Sequence, residues 1–143
     1  MRRLLFLCTG NSARSILAEA YLNHKEAGWR AYSAGSQPTG RVNPLALATL
    51  AAHGIDPGAP ISKSWDAFAG AGAPAMDLVV TVCDSAAGET CPIWPGAPRV
   101  AHWGFADPAA AQGPEEARRA AFETAFREIS ARIDRFLAEE GAA

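Results

Sequence analysis

Cys8 and Arg14 stand six positions apart in Leu4-Leu5-Phe6-Leu7-Cys8-Thr9-Gly10-Asn11-Ser12-Ala13-Arg14-Ser15. An apolar run enters a Gly/Asn/Ser turn and leaves as an amphipathic segment, which reads as a strand, a loop and a helix. Such a loop aims backbone N–H groups at one point, where the helix dipole also favours negative charge. The five residues between Cys8 and Arg14 suffice to curl around a tetrahedral oxyanion. Thr9, Gly10, Asn11, Ser12 and Ala13 supply the amides, and the Arg14 fork closes the rim by bidentate hydrogen bonds. Helix N-termini and adjacent cations bring a cysteine from a pKa of about 8.5 into the range of roughly 3.5–7.5. A hydroxyl hydrogen bond from Ser15 favours the thiolate further. Nucleophile and electrophile are then held together. An inert buried cysteine at a strand end needs none of these electropositive surroundings.

Two more cysteines, Cys83 and Cys91, lie in Cys83-Asp84-Ser85-Ala86-Ala87-Gly88-Glu89-Thr90-Cys91-Pro92. In a helix they would sit about 12 Å apart along the axis at 1.5 Å per residue. A disulfide needs α-carbons within about 7 Å, so bonding them requires the segment to unwind, which Gly88 and its small polar neighbours make cheap. A thiol-exchanging loop and two unrelated thiols both fit. Zinc does not, because there are no paired CxxC motifs and no histidines at ligand intervals.

Asp107-Pro108 follows His102-Trp103-Gly104-Phe105-Ala106. A carboxyl held there beside an anion would have its pKa raised by like charge and could protonate a leaving oxygen. An Asp-Pro turn is the commoner local explanation. His24, His53 and His102 lie in no pattern that demands catalysis and read as structural.

Positioning these groups requires strands that end near one another. Leu4 to Leu7 is a continuous apolar run of the kind buried on both faces of a parallel sheet. A helix is predicted from about Arg14 to Lys25, and a second strand from Trp29 to Ser33, ended by Ala34-Gly35. Asn43-Pro44 is an N-cap with proline in the first turn, opening a helix that runs to Gly54. Ser64 to Phe68 makes only a short helix. Asp77 to Val82 is a branched-chain strand that delivers Cys83 to its carboxyl end, as the first strand delivers Cys8. Arg99 to Trp103 is a fourth strand. Gly113-Pro114-Glu115-Glu116 opens a long last helix with Phe122, Phe126, Ile129, Ile133 and Phe136 in one apolar stripe. The alternation predicts an α/β single domain over residues 1–143: an open four-stranded parallel sheet with helices on both faces. Ligands of such sheets bind outside the carboxyl ends of the strands.

With 143 residues, 49% apolar and 20% charged, the composition is that of a soluble globular domain, and a formal charge of −2 points away from nucleic acid and anionic membranes. Met1-Arg2-Arg3 and the following four apolar residues stop short of a signal peptide. No run reaches the roughly 18 apolar residues of a membrane span. A cytoplasmic monomer is expected, in a compartment where conspicuous cysteines are more often catalytic than structural.

Together these residues resemble the thiol-dependent arsenate reductases built on the low-molecular-weight protein tyrosine phosphatase fold. The likeness runs through Cys8 to Ser15, Tyr32-Ser33-Ala34-Gly35, Val42-Asn43-Pro44, the Cys83 to Cys91-Pro92 loop, and His102-Trp103-Gly104-Phe105 with Asp107-Pro108, nearly the whole chain. The resemblance implies reduction of arsenate to arsenite by a relay in which Cys8 attacks, Asp107 protonates the departing oxygen, Cys83 attacks Cys8, and Cys91 carries the disulfide to the surface. It implies phosphate or sulfate as mimics of arsenate, a thioredoxin-like or low-molecular-weight thiol reductant, no cofactor, no bound metal and no nucleic-acid or membrane partner. Some relatives hold potassium beside the loop with an asparagine, glutamate, serine and aspartate. Asn11, Glu19 and Ser33 match, while Lys63 falls near the aspartate position, where its ammonium would replace the ion. Ala13 stands where several relatives place a second loop cysteine, and Ala109 where the phosphatases place a tyrosine that receives aromatic substrates. The alternatives are a phosphomonoesterase using Cys8, Arg14 and Asp107, and a non-catalytic oxyanion binder.

Overall fold

The computed structural model describes residues 1–69, 72–82 and 98–142. Its sheet contains β1 (Arg2–Cys8), β2 (Trp29–Gly35), β3 (Leu78–Thr81) and β4 (Arg99–His102), all parallel, in the order β2-β1-β3-β4. Among the described residues, three α-helices accompany it: α1 (Arg14–Lys25), α2 (Pro44–Ala52) and α3 (Glu115–Ala142). Short 3-10 helices cover Trp65–Phe68 and Pro108–Ala110. The predicted alternation is therefore present, with β1 and β2 longer than their apolar cores. Pairing extends Arg2↔Trp29 through Cys8↔Gly35, because ladder hydrogen bonds continue past the hydrophobic residues at either end.

Leu4, Leu5, Phe6 and Leu7 are all fully buried, as a central parallel strand demands. Alternate residues serve opposite faces. Leu4 and Phe6 join Leu78 and Val80 in the larger core under α1, α2 and the Phe122-Phe126-Ile129-Ile133-Phe136 stripe of α3. Leu5, Leu7 and Val79 meet Phe68 and Met76 on the other side, where the helical cover among the described residues is the 3-10 turn Trp65–Phe68. Trp103 fastens the large core to β4. Its ring lies 6.0 Å from that of Phe6 and 5.4 Å from that of Phe136, within the range of favourable aromatic pairs.

The helix starts follow their sequences. Asn43 caps α2 by accepting from the Leu45 N–H at 2.9 Å, with Pro44 behind it. Ser64 and Asp107 cap the two 3-10 helices in the same way. Helix α1 differs: Ala13 offers no side-chain cap, and its first turn contains no acidic residue. No helix among the described residues is long and apolar enough to cross a membrane.

Chain order turns back at β1, which has β2 on one side and β3 on the other. The carboxyl end of β1 is thus the switch point at which sheets of this kind bind ligands. Truncating Ile133, fully buried on α3, should cost about 2–5 kcal/mol of unfolding free energy through lost burial and a residual cavity. Urea unfolding of Ile133→Ala measures it; a cost near zero would mean that the α3 stripe does not carry the core.

Candidate active site

The loop that leaves β1 is hung from its neighbours by its carbonyl oxygens. Thr9 O accepts from the Gln37 N–H at 2.9 Å, Gly10 O from the Thr39 N–H at 3.1 Å and the Ser62 hydroxyl at 3.1 Å, and Ser12 O from the Asn43 N–H at 2.9 Å. In a trans peptide unit the carbonyl of one residue and the N–H of the next point opposite ways. The amides of Gly10, Asn11 and Ala13 therefore turn inward, away from those tethers. Beside them are the first amides of α1, which no side chain caps. Backbone donors and the positive end of the helix dipole converge where an anion would sit, in the loop that begins at Cys8, itself buried at 5% exposure.

Two residues permit this curl. Asn11 has φ of 46°, in the left-handed region that asparagine tolerates better than most residues. Gly35 ends β2 against the loop: a Cβ there would overlap the carbonyl oxygens of Thr9 and, at 2.8 Å, Cys8. Only glycine allows so close an approach.

Asn11 is fully buried and holds the loop from inside. Its Oδ1 accepts from the Lys63 backbone N–H at 2.9 Å, and its Nδ2 donates to Ser15 Oγ at 2.8 Å. Behind it, Ser33 donates to Glu19 Oε1 at 2.8 Å, and the Lys63 ammonium donates to Ile61 O at 3.0 Å. Burial raises the Glu19 carboxyl above its ordinary pKa of 4.5, against the lowering influence of the Ser33 hydrogen bond and the charges of Lys63 and Arg30. Burial also lowers the Lys63 ammonium, and Glu19 opposes that shift. The two charges lean on one another across a poorly hydrated wall of the loop.

The Arg14 guanidinium is anchored at one end only. Nη1 donates to Phe105 O at 2.8 Å, and Nη2 stands 3.7 Å from Asp107 Oδ2. Nε is buried with no protein partner. The Nε and Nη2 edge is therefore the one left for a bidentate anion contact. Asp107 uses its two carboxylate oxygens differently. Oδ1 accepts from the Ala109 N–H at 3.0 Å and caps the Asp-Pro turn, while Oδ2 faces Arg14.

The structure thus brings together Cys8, the loop from Thr9 to Ala13, Arg14, Ser15 and Asp107. Cys83 and Cys91 lie outside the described residues. Val82, which precedes Cys83 in the chain, donates its N–H to Leu7 O at 2.8 Å, and its own carbonyl accepts from the Phe105 N–H at 3.2 Å. His53 is structural, bonded to Glu123 at 2.8 Å and stacked on Phe126 at 4.3 Å, while His102 Nδ1 lies 2.7 Å from Thr81 Oγ1. Sequence reasoning missed the outer supports Gln37, Thr39 and Ser62 and the Phe105 carbonyl. The first three act on backbone atoms far along the chain, and a carbonyl has no signature in sequence. The His-Trp-Gly-Phe stretch was the one signal that pointed to the fourth.

Comparison with known proteins agrees with this geometry. The family model described as low molecular weight phosphotyrosine protein phosphatase matches residues 3–141. A curated relative named arsenate reductase, from Bacillus licheniformis, is 42% identical over 141 residues, covering 98% of this chain and 97% of the relative. The solved structure described as an arsenate reductase in the phosphate binding state superposes with a TM-score of 0.73 at 25% identity, over 97% of this chain and 98% of that one. The low molecular weight protein tyrosine phosphatase of T. tengcongensis shares the fold, with a TM-score of 0.76 at 24% identity and coverage of 97% and 99%. This chain belongs to the low molecular weight phosphotyrosine protein phosphatase family.

Proposed function

We propose that this protein reduces arsenate to arsenite through Cys8, Cys83 and Cys91. One observation carries the reading: an uncapped helix start and inward-turned amides frame the loop that begins at a buried cysteine, with an arginine edge and a carboxyl beside them. The names of its relatives and the phosphate-binding state of a structural neighbour support the same choice of oxyanion.

In the first step the Cys8 thiolate attacks arsenic and forms a sulfur–arsenic bond. One arsenate oxygen leaves, taking a proton from Asp107, while the loop amides and Arg14 hold the remaining oxygens. Ser15 accepts from Asn11 Nδ2 and so has its hydroxyl proton to give to the thiolate. Cys83 then attacks the Cys8 sulfur. The sulfur–arsenic bonding pair stays with arsenic, which departs as arsenite, and a Cys8–Cys83 disulfide remains. Cys91 attacks Cys83, restoring the Cys8 thiolate and moving the disulfide outward, where a thioredoxin-like protein or a low-molecular-weight thiol reduces it. The hydrogen bond from Val82 to Leu7 supports this order, since it ties the residue before Cys83 to the strand that ends in Cys8. A monomer in the reducing cytoplasm suits such a cycle.

Lys63 stands in for a potassium ion in this reading. The neighbouring oxygens do not suit a metal: Asn11 Oδ1 is committed to the Lys63 N–H, the Ser33 hydroxyl donates to Glu19, and an ammonium already balances that carboxylate.

Turnover is tested by arsenate-dependent NADPH oxidation, with thioredoxin, mycothiol-linked and glutathione systems supplied in turn. Cys8→Ser should abolish it, Asp107→Asn should lower it about 10²–10⁴-fold, and Cys83→Ser should end reduction while sparing any hydrolysis of phosphomonoesters. Ester hydrolysis without arsenate reduction in the unaltered protein would make it a phosphatase instead.

Replacing sodium by potassium should change neither turnover nor the urea midpoint; a specific potassium gain would contradict the role of Lys63. Because the Glu19 pKa is raised, folding favours its protonated form, and stability falls as pH climbs from 4.5 through the raised value. Lys63→Gln removes a charge that holds this carboxyl down, so its stability should fall further than that of the unaltered chain between pH 5 and 7. Equal falls in urea unfolding would show that the two groups are uncoupled.

A further inference from the structure

A groove of about 670 Å³ opens beside Ser12 of the loop, between the 39–45 segment, the Pro108–Ala110 turn and the start of α3. It is within the size range of small-molecule sites. Two arginines, Arg41 and Arg118, line it, together with one carboxylate, Glu115. Arg41 belongs to a strap fastened to the loop on both sides, by the Thr39 N–H to Gly10 O and the Asn43 N–H to Ser12 O. The Thr39 hydroxyl further fixes the Arg41 backbone, donating to its carbonyl at 2.9 Å and accepting from its N–H at 3.2 Å. Arg118 leaves the first turn of α3, one turn before Phe122, whose buried ring lines the same groove.

The charge in this groove is unbalanced. Among the described residues, Glu115 is paired with Arg119 at 3.5 Å and Asp107 with Arg14 at 3.7 Å, while no carboxylate pairs with Arg41 or Arg118. The chain as a whole carries a formal charge of −2 and so repels a dianion at long range. A concave patch of positive charge reverses that field locally and raises the concentration of anions at its mouth.

We propose that Arg41 and Arg118 form a cationic mouth that draws the tetrahedral dianion into the loop, as positioning residues that act before any bond to Cys8 is made. This rests on the oxyanion loop described above and adds the route by which its ligand arrives. The field of exposed charges reaches about 30 Å at 0.01 M ionic strength but only about 3 Å at 1 M. Salt therefore separates steering from contact.

The test is equilibrium binding of inorganic phosphate to the reduced full-length protein at those two salt concentrations. The double variant Arg41→Gln/Arg118→Gln should bind about three- to tenfold more weakly at low salt and equally at high salt. Glu115→Gln, which removes the negative charge from the same groove, should bind more tightly at low salt, a gain that no folding defect produces. Equal low-salt affinity of the double variant and the unaltered chain, or a loss that persists at 1 M, would overturn the mouth. If the unaltered protein binds no phosphate at either salt, the oxyanion loop falls together with the mouth; phosphate bound with identical salt slopes in all variants removes the mouth alone.

Discussion

The outward pull on the loop carbonyls is the constraint from which the chemistry follows. Four hydrogen bonds, from Gln37, Thr39, Ser62 and Asn43, fix Thr9, Gly10 and Ser12 with their oxygens turned away from the centre. Planar trans peptides leave the following amides no choice but to face inward. The first-turn amides of α1 add to them, since a side-chain cap that would have consumed one locally is missing. Ala13 has no side-chain oxygen with which to do so, and the deficit is a permanent demand for an anion. A cysteine at the mouth of such a loop is pressed toward its thiolate form by donors of this kind.

The sheet converts this local device into a site with several parts. Because β1 lies between β2 and β3, the loop is supported from one side by Gly35 and Lys63, while on the other Val82, just after β3, bonds to Leu7 O. Phe105 links the two. Its N–H reaches Val82 O and its carbonyl receives Arg14, so Val82 and the arginine of the anion site share one connector. Asp107, two residues on, is carried into place beside Arg14 by the same connector. Trp103 roots that connector in the core between Phe6 and Phe136.

Much of this was legible in the residues themselves. Leu4 to Leu7 announced a strand buried on both faces, and the spacing of Phe122, Phe126, Ile129, Ile133 and Phe136 announced the α3 stripe, because burial and helical period are local properties. Cys8 to Ser15 read as an anion loop for the same reason. What stayed hidden depends on contacts across many residues. The Arg14 to Phe105 bond joins a guanidinium to a backbone oxygen 91 positions away, and Gly35 is required by the passage of another segment over it. Helical cover on both faces was expected. Among the described residues, three α-helices cover one face and the short Trp65–Phe68 turn the other, where the smaller core includes Phe68 and Met76.

The most direct test of the central claim is an ultraviolet titration of the thiolate in a Cys83→Ser/Cys91→Ser variant, in which Cys8 is the single thiol. Ionisation is expected within roughly pH 3.5–7.5, with an upward shift when phosphate fills the loop and adds its negative charge. Ionisation near pH 8.5, indifferent to phosphate, would show that the amides and Arg14 do not act on the sulfur and would contradict that claim.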